Sequence, residues 1–100
     1  FTRETINAIK QDTANKRPWF VHLSYTMPHD PMMVDDRYVE EFEHCRKMRG
    51  WRRRIYCGMV TSVDEGIGNI TRYLRESGVM ENTVIIFSSD NGGFANVGGF

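Results

Sequence analysis

An α/β fold is predicted for this chain, as a fragment of a layered sandwich with a mostly parallel sheet, and three features lead there. Two short runs rich in β-branched and aromatic residues, Trp19-Phe20-Val21-His22-Leu23-Ser24-Tyr25 and Thr83-Val84-Ile85-Ile86-Phe87, read as strands. The second is continuously apolar, the pattern of a strand buried on both faces. Between the two runs, Trp51, Ile55, Met59, Val63, Ile67, Ile70 and Leu74 recur at spacings of four or three, which places them on one stripe of a long core-facing helix.

The elements follow in order. Thr2 to Gln11 reads as a helix with Thr2 as its cap and Ile6 and Ile9 on one face, running out into polar Asp12 to Arg17. Pro18 introduces the first strand, and Pro28-His29-Asp30-Pro31 ends it. Each proline removes an N–H and biases its predecessor toward extended backbone, so this tetrapeptide is an ordered, non-helical loop past the strand's carboxyl end. Asp35 to His44 reads as a short acidic helix. The long helix ends at Glu76-Ser77-Gly78-Val79, where Gly78 takes the left-handed conformation and Val79 folds back on the last turn. Gly58, Gly66 and Gly68 lie inside it at about 1 kcal/mol each relative to Ala, which close backbone packing would offset. After the second strand comes a second polar loop, Ser88-Ser89-Asp90-Asn91-Gly92-Gly93.

Composition is that of a globular protein, with 40% hydrophobic and 12% aromatic residues. Thirteen basic and thirteen acidic residues cancel, so no global field points to nucleic acid or an anionic membrane as partner. No apolar run approaches the roughly 20 residues of a transmembrane helix. Cys45 and Cys57 are too few for a disulfide framework and lack metal-ligand spacing, which leaves their pairing and the redox compartment open. A chain that opens on Phe1 and stops on Phe100 in a Gly-rich stretch is expected to be an internal fragment holding no complete domain.

In open α/β sheets, ligands bind beyond the carboxyl ends of the strands, and both polar loops fall there. Asp90 and Asn91 offer a carboxylate and an amide oxygen, hard donors suited to calcium or magnesium, although Asp-Asn-Gly is also a common turn sequence. Calcium takes about 6 to 8 oxygens, so the remaining ligands would come from elsewhere. His29, bracketed by prolines, is a candidate general acid or anion contact, its plain alternative being a solvated loop histidine. His22 reads as a satisfied core histidine and His44 as a surface one.

Several segments together resemble the arylsulfatase family, especially its arylsulfatase B-like (N-acetylgalactosamine-4-sulfatase) members. They are Pro18 to Leu23 leading to Pro28-His29-Asp30-Pro31, Arg54 to Val60 with Asp64 to Thr71, Glu76-Ser77-Gly78, and Asn82 to Gly93. The resemblance implies an alkaline-phosphatase-like α/β/α sandwich and hydrolysis of an aryl sulfate or a sulfated sugar such as a glycosaminoglycan unit. It also implies calcium held by Asp90 and Asn91, and a histidine, His29, that contacts the sulfate and assists leaving-group departure. The family's nucleophile is formylglycine, made from the cysteine of a Cys-x-Pro-x-Arg motif. Cys45 precedes Arg46-Lys47-Met48-Arg49 and Cys57 precedes Gly58-Met59-Val60-Thr61, so neither is that residue and the 100-residue chain alone is expected to be inactive. Asn69-Ile70-Thr71 fits the glycosylation acceptor pattern, consistent with the lysosomal or secreted location that the family implies.

Arg46, Lys47, Arg49, Arg52, Arg53 and Arg54 form a basic cluster, read as the solvated start of a helix, with attraction of a sulfated polysaccharide as the alternative. Two other functions compete with hydrolysis of sulfate esters: a metal-dependent phosphate-ester hydrolase of the same superfold, and sulfated-glycan binding by a catalytically inactive relative.

Overall fold

The computed structural model describes residues 1–92 of the chain. Its elements are α1 (Thr2–Ala14), α2 (Arg37–Glu40), α3 (Glu43–Arg46), α4 (Trp51–Glu76) and a 3-10 turn at Met80–Asn82. They fall into two compact units, Phe1–Tyr25 with Glu65–Val84, and Thr26–Asp64 with Ile85–Phe100.

α4 begins and ends where its pattern says it should. Val79 N–H donates to the Leu74 carbonyl (3.1 Å) and Gly78 N–H to that of Arg75 (3.1 Å), with Gly78 at φ +74°. These are the two bonds of a Schellman closure, which satisfies carbonyls that the helix end would otherwise leave open. On the apolar stripe, Met59 and Leu74 are buried and Ile55, Val63, Ile67 and Ile70 half-buried. Burying each large aliphatic side chain contributes about 1.5–3 kcal/mol. Trp51 departs from the stripe, being 63% exposed. It is the first helical residue, and among the described residues no aromatic ring packs on it; only the Arg52 guanidinium lies over its ring, at 5.1 Å.

In the first unit, α1 buries Ile9. It starts without a side-chain cap, because its N-cap residue is Phe1, which offers no acceptor, and not Thr2; the Thr2 hydroxyl, in the first helical turn, is hydrogen-bonded to the Tyr25 phenol (2.9 Å). That pair sits directly over Gly66, where an added Cβ would stand 2.6 Å from Thr2 Oγ1 and 2.7 Å from Tyr25 Oη. Gly58, in the second unit, is also closely approached, with Val34 Cγ1 and Val39 Cγ2 each 3.0 Å from where its Cβ would be. Gly68 has nothing within 4 Å, so close packing accounts for two of the three helical glycines. Gly66→Ala is therefore expected to destabilise the protein, overpacking at about 1–3 kcal/mol outweighing a helix-propensity gain of about 1 kcal/mol. Gly68→Ala should raise stability by up to about 1 kcal/mol. Urea unfolding midpoints of the two variants would test this, and a shift of both in the same direction would contradict it.

The second unit is organised around a disulfide. Cys45 on α3 and Cys57 on α4 are bonded, with Cα atoms 5.4 Å apart, and both are buried. For a loop this short the cross-link is worth about 3 kcal/mol through the unfolded chain. Val39 and Met59 complete the buried set, Tyr38 stacks on Phe42 (centroids 6.2 Å), and Ser62 donates to the Met59 carbonyl (2.7 Å). The acidic helix read over Asp35 to His44 is two short helices, α2 and α3, interrupted at Glu41 and Phe42.

The two β-forming runs carry no ladder: among the described residues there is no strand. Their side chains show why. Phe20 is 92% exposed, and Val84, Ile86 and Phe87 are exposed as well. A strand exists only through ladder hydrogen bonds to a neighbouring strand, and among the described residues these runs have none, so composition alone does not make the sheet. His22, read as a core histidine, is exposed for the same reason, with Ser24 Oγ 3.4 Å from its Nε2.

Candidate active site

His29 lies between two cis peptide bonds, Met27-Pro28 and Asp30-Pro31, and is exposed. Its Nδ1 is 2.8 Å from the Asp30 carbonyl oxygen. A carbonyl only accepts, so Nδ1 carries the proton, which fixes the ring and leaves Nε2 as the atom that can take or give a proton outward. To act as a general acid, or to contact a sulfate oxygen, which only accepts, Nε2 would need a proton as well. Its orientation comes from the loop's own backbone rather than from a neighbouring carboxylate.

The second loop is likewise tied to itself. Asp90 Oδ1 accepts the Asn91 backbone N–H (2.8 Å), Asn91 Nδ2 donates to the Gly92 carbonyl (2.9 Å), and Ser89 Oγ donates to the Asn91 carbonyl. Two consequences follow for the side chains. Asp90 keeps its second carboxylate oxygen free of hydrogen bonds among the described residues, and the Asn91 amide is turned so that its oxygen faces away from the loop's backbone acceptor. Both are exposed. A carboxylate and an amide oxygen are a donor set that fits calcium, as two of its 6 to 8 ligands. Gly93, the second glycine of this turn, lies outside the described residues.

Both loops belong to the same compact unit, and among the described residues no hydrogen bond joins His29 to Asp90 or Asn91. Asn69 belongs to the other unit, on α4. It is half-buried and lines an open groove of about 460 Å³ with Thr2, Ile6, Asn7, Arg72 and Tyr73. The hydroxyl of Thr71, the third residue of the acceptor pattern, donates to the Gly68 carbonyl (3.0 Å).

One constellation was not legible in the spacing. His44, Cys45 and Cys57 bring their potential ligand atoms within 4.8 Å of one another, although 12 residues separate the cysteines. A soft metal would need thiolates, and here the two sulfurs are bonded to each other. His44, exposed as its sequence position suggested, has Nε2 3.3 Å from the Thr61 hydroxyl.

Known proteins are similar to this chain. The chain is 40% identical over 83 residues to arylsulfatase J of Mus musculus, covering 83% of this chain and 13% of that protein. It is 26% identical over 92 residues to N-acetylgalactosamine-6-sulfatase of Mus musculus, covering 92% of this chain and 16% of that protein. Among solved structures, Ps i-CgsB in complex with k-i-k-neocarrahexaose matches with a TM-score of 0.88 at 34% identity, over 97% of this chain and 21% of that one. The sulfatase family profile matches residues 1–98, from α1 through both polar loops, and the chain belongs to the sulfatase family.

Proposed function

We propose that the full-length protein hydrolyses sulfate esters, and that this stretch contributes His29, Asp90 and Asn91 to its active site. The observation that carries the reading is the sulfatase match over residues 1–98, which takes in both polar loops. The chain spans only 13–16% of the two mouse sulfatases, so the rest of the site belongs to other parts of the protein. The substrate class is an aryl sulfate or a sulfated sugar such as N-acetylgalactosamine 4-sulfate, the arylsulfatase B-like specificity. A hexosamine sulfatase and an oligosaccharide complex among the similar proteins support the sugar.

Asp90, through its free carboxylate oxygen, and Asn91, through its amide oxygen, would hold calcium in an alkaline-phosphatase-like α/β/α sandwich. Bound calcium supplies positive charge to sulfate oxygens as negative charge shifts onto them. His29, fixed through Nδ1, presents Nε2 to the sulfate or to the departing oxygen and, when doubly protonated, donates a hydrogen bond to the one or a proton to the other. Neither cysteine of this chain fits the formylglycine precursor, because neither stands in Cys-x-Pro-x-Arg and each is bonded to the other. The attacking group therefore comes from another part of the protein. A lysosomal or secreted location and a glycan on Asn69 complete the reading; since Asn69 is half-buried, the glycan would be attached before α1 and α4 close on the groove.

Comparing 4-nitrophenyl sulfate with 4-nitrophenyl phosphate tests the proposal, because the two share a leaving group. The full-length protein is expected to release sulfate and to lose turnover when calcium is chelated. Turnover of the phosphate alone would identify a phosphate-ester hydrolase of the same superfold, and binding of sulfated glycans with no turnover of either ester would identify an inactive relative.

A further inference from the structure

Residues 46–54 hold six cations, Arg46, Lys47, Arg49, Arg52, Arg53 and Arg54, and no carboxylate, in a chain whose total charge is zero. The segment lies wholly inside the loop closed by Cys45–Cys57 and turns at Gly50, which has φ +86°. It begins as the last residue of α3 and ends in the first turn of α4.

Helix stability does not explain this placement. The first turn of α4 contains no acidic residue and carries three arginines at the positive end of the helix dipole. A cation there has the wrong sign, by about 0.3–1 kcal/mol each. A local rule broken in this way points to a functional site at those cations that have no carboxylate beside them. Lys47 is answered by Glu43 (2.5 Å) and Arg54 by Glu40 (2.7 Å), but none of the ion pairs among the described residues uses Arg46, Arg49 or Arg52, all of them exposed. Trp51, in their midst, is 63% exposed, with the Arg52 guanidinium over its ring.

We propose that this disulfide-closed loop is a docking surface for a sulfated polysaccharide. Guanidinium groups pair with sulfate oxygens through two parallel hydrogen bonds, and a sulfate half-ester stays ionised at any physiological pH. The face of Trp51 opposite Arg52 offers the flat apolar surface on which the C–H face of a sugar ring packs, a requirement that simple charge attraction would not impose. The cross-link holds the segment at both ends, which lowers the ordering cost of binding. The choice of polymer rests on the sulfatase reading, whereas the binding itself needs neither His29 nor Asp90.

The test measures binding of the full-length protein to dextran sulfate, with neutral dextran, phosphatidylserine–phosphatidylcholine vesicles and duplex DNA as comparators, and turnover of 4-nitrophenyl sulfate alongside. Dextran sulfate should bind most tightly, with affinity falling steeply with salt. Arg49→Ala with Arg52→Ala should weaken it at least about tenfold and lower the slope of log affinity against log salt by about 1.5, as for two lost contacts to a linear polyanion. Trp51→Ala should weaken binding without changing the slope, and Trp51→Phe should restore most of it. All of these variants should turn over the small ester at the wild-type rate. Unchanged affinity in the arginine pair, equal binding to neutral dextran, or tighter binding to vesicles or DNA at equal charge would overturn the proposal. A wild-type protein that binds dextran sulfate yet fails on the small ester would instead count against the hydrolase reading alone.

Discussion

His29→Ala in the full-length protein is expected to lower kcat by about 100-fold to 10,000-fold, the usual worth of general acid help. Calcium affinity should stay nearly unchanged. The distinction follows from the loop's geometry: Nδ1 is engaged with the Asp30 carbonyl, so the ring meets its partner only through Nε2, and its removal takes away a proton donor or sulfate contact, not a metal ligand. The loss should be larger for an ester whose leaving group is a poor one, a sugar alcohol, than for 4-nitrophenolate, which departs without a proton. Steady-state kinetics on the two ester types, beside a calorimetric calcium titration, separates the roles. If His29→Ala abolished calcium binding, the role assigned to it would be wrong.

Asp90→Ala should act on the metal first. Losing a charged oxygen ligand leaves calcium under-coordinated, and calcium affinity is tuned over orders of magnitude by ligand charge, so a loss of at least about tenfold is expected. Asn91→Ala should cost less, because the amide contributes a dipole and no net charge. Raising calcium should restore part of the Asp90→Ala turnover but none of the His29→Ala turnover. Unaltered affinity and turnover in Asp90→Ala would show that the carboxylate is only a turn former, holding the Asn91 N–H as it does at 2.8 Å.

How much of this was legible beforehand depended on whether a feature is local. The helical period of α4 and its closure at Gly78 are written in consecutive residues, and both appear as read. Thr2 was read as a cap because caps are local, but its hydroxyl found Tyr25, 23 residues away. The same limit explains the two β-forming runs. Val84 to Phe87 have the composition of a buried strand, but a ladder is a property of two chains of residues, and within residues 1–92 these side chains stay exposed. Trp51 fell on the right phase of the stripe, yet it opens the helix and is 63% exposed, with only the Arg52 guanidinium over its ring among the described residues. The Cys45–Cys57 bond could not be read from 12-residue spacing, since it depends on the turn at Gly50 between α3 and α4. For the candidate site, residue chemistry suggested hard oxygen donors and a loop histidine, while the specific roles came from the arylsulfatase resemblance. The structure adds the backbone contacts that aim Nε2 of His29 and the oxygens of Asp90 and Asn91.

The central claim is that these three side chains serve one sulfate-ester site. A crystal structure of the full-length protein with calcium and sulfate bound measures it directly. The account predicts Asp90 and Asn91 oxygens at about 2.3–2.6 Å from the calcium ion, and Nε2 of His29 at hydrogen-bond distance from a sulfate oxygen. Calcium and sulfate held in one site by other residues, with Asp90 and Asn91 still folded onto their own loop and His29 facing solvent, would contradict it.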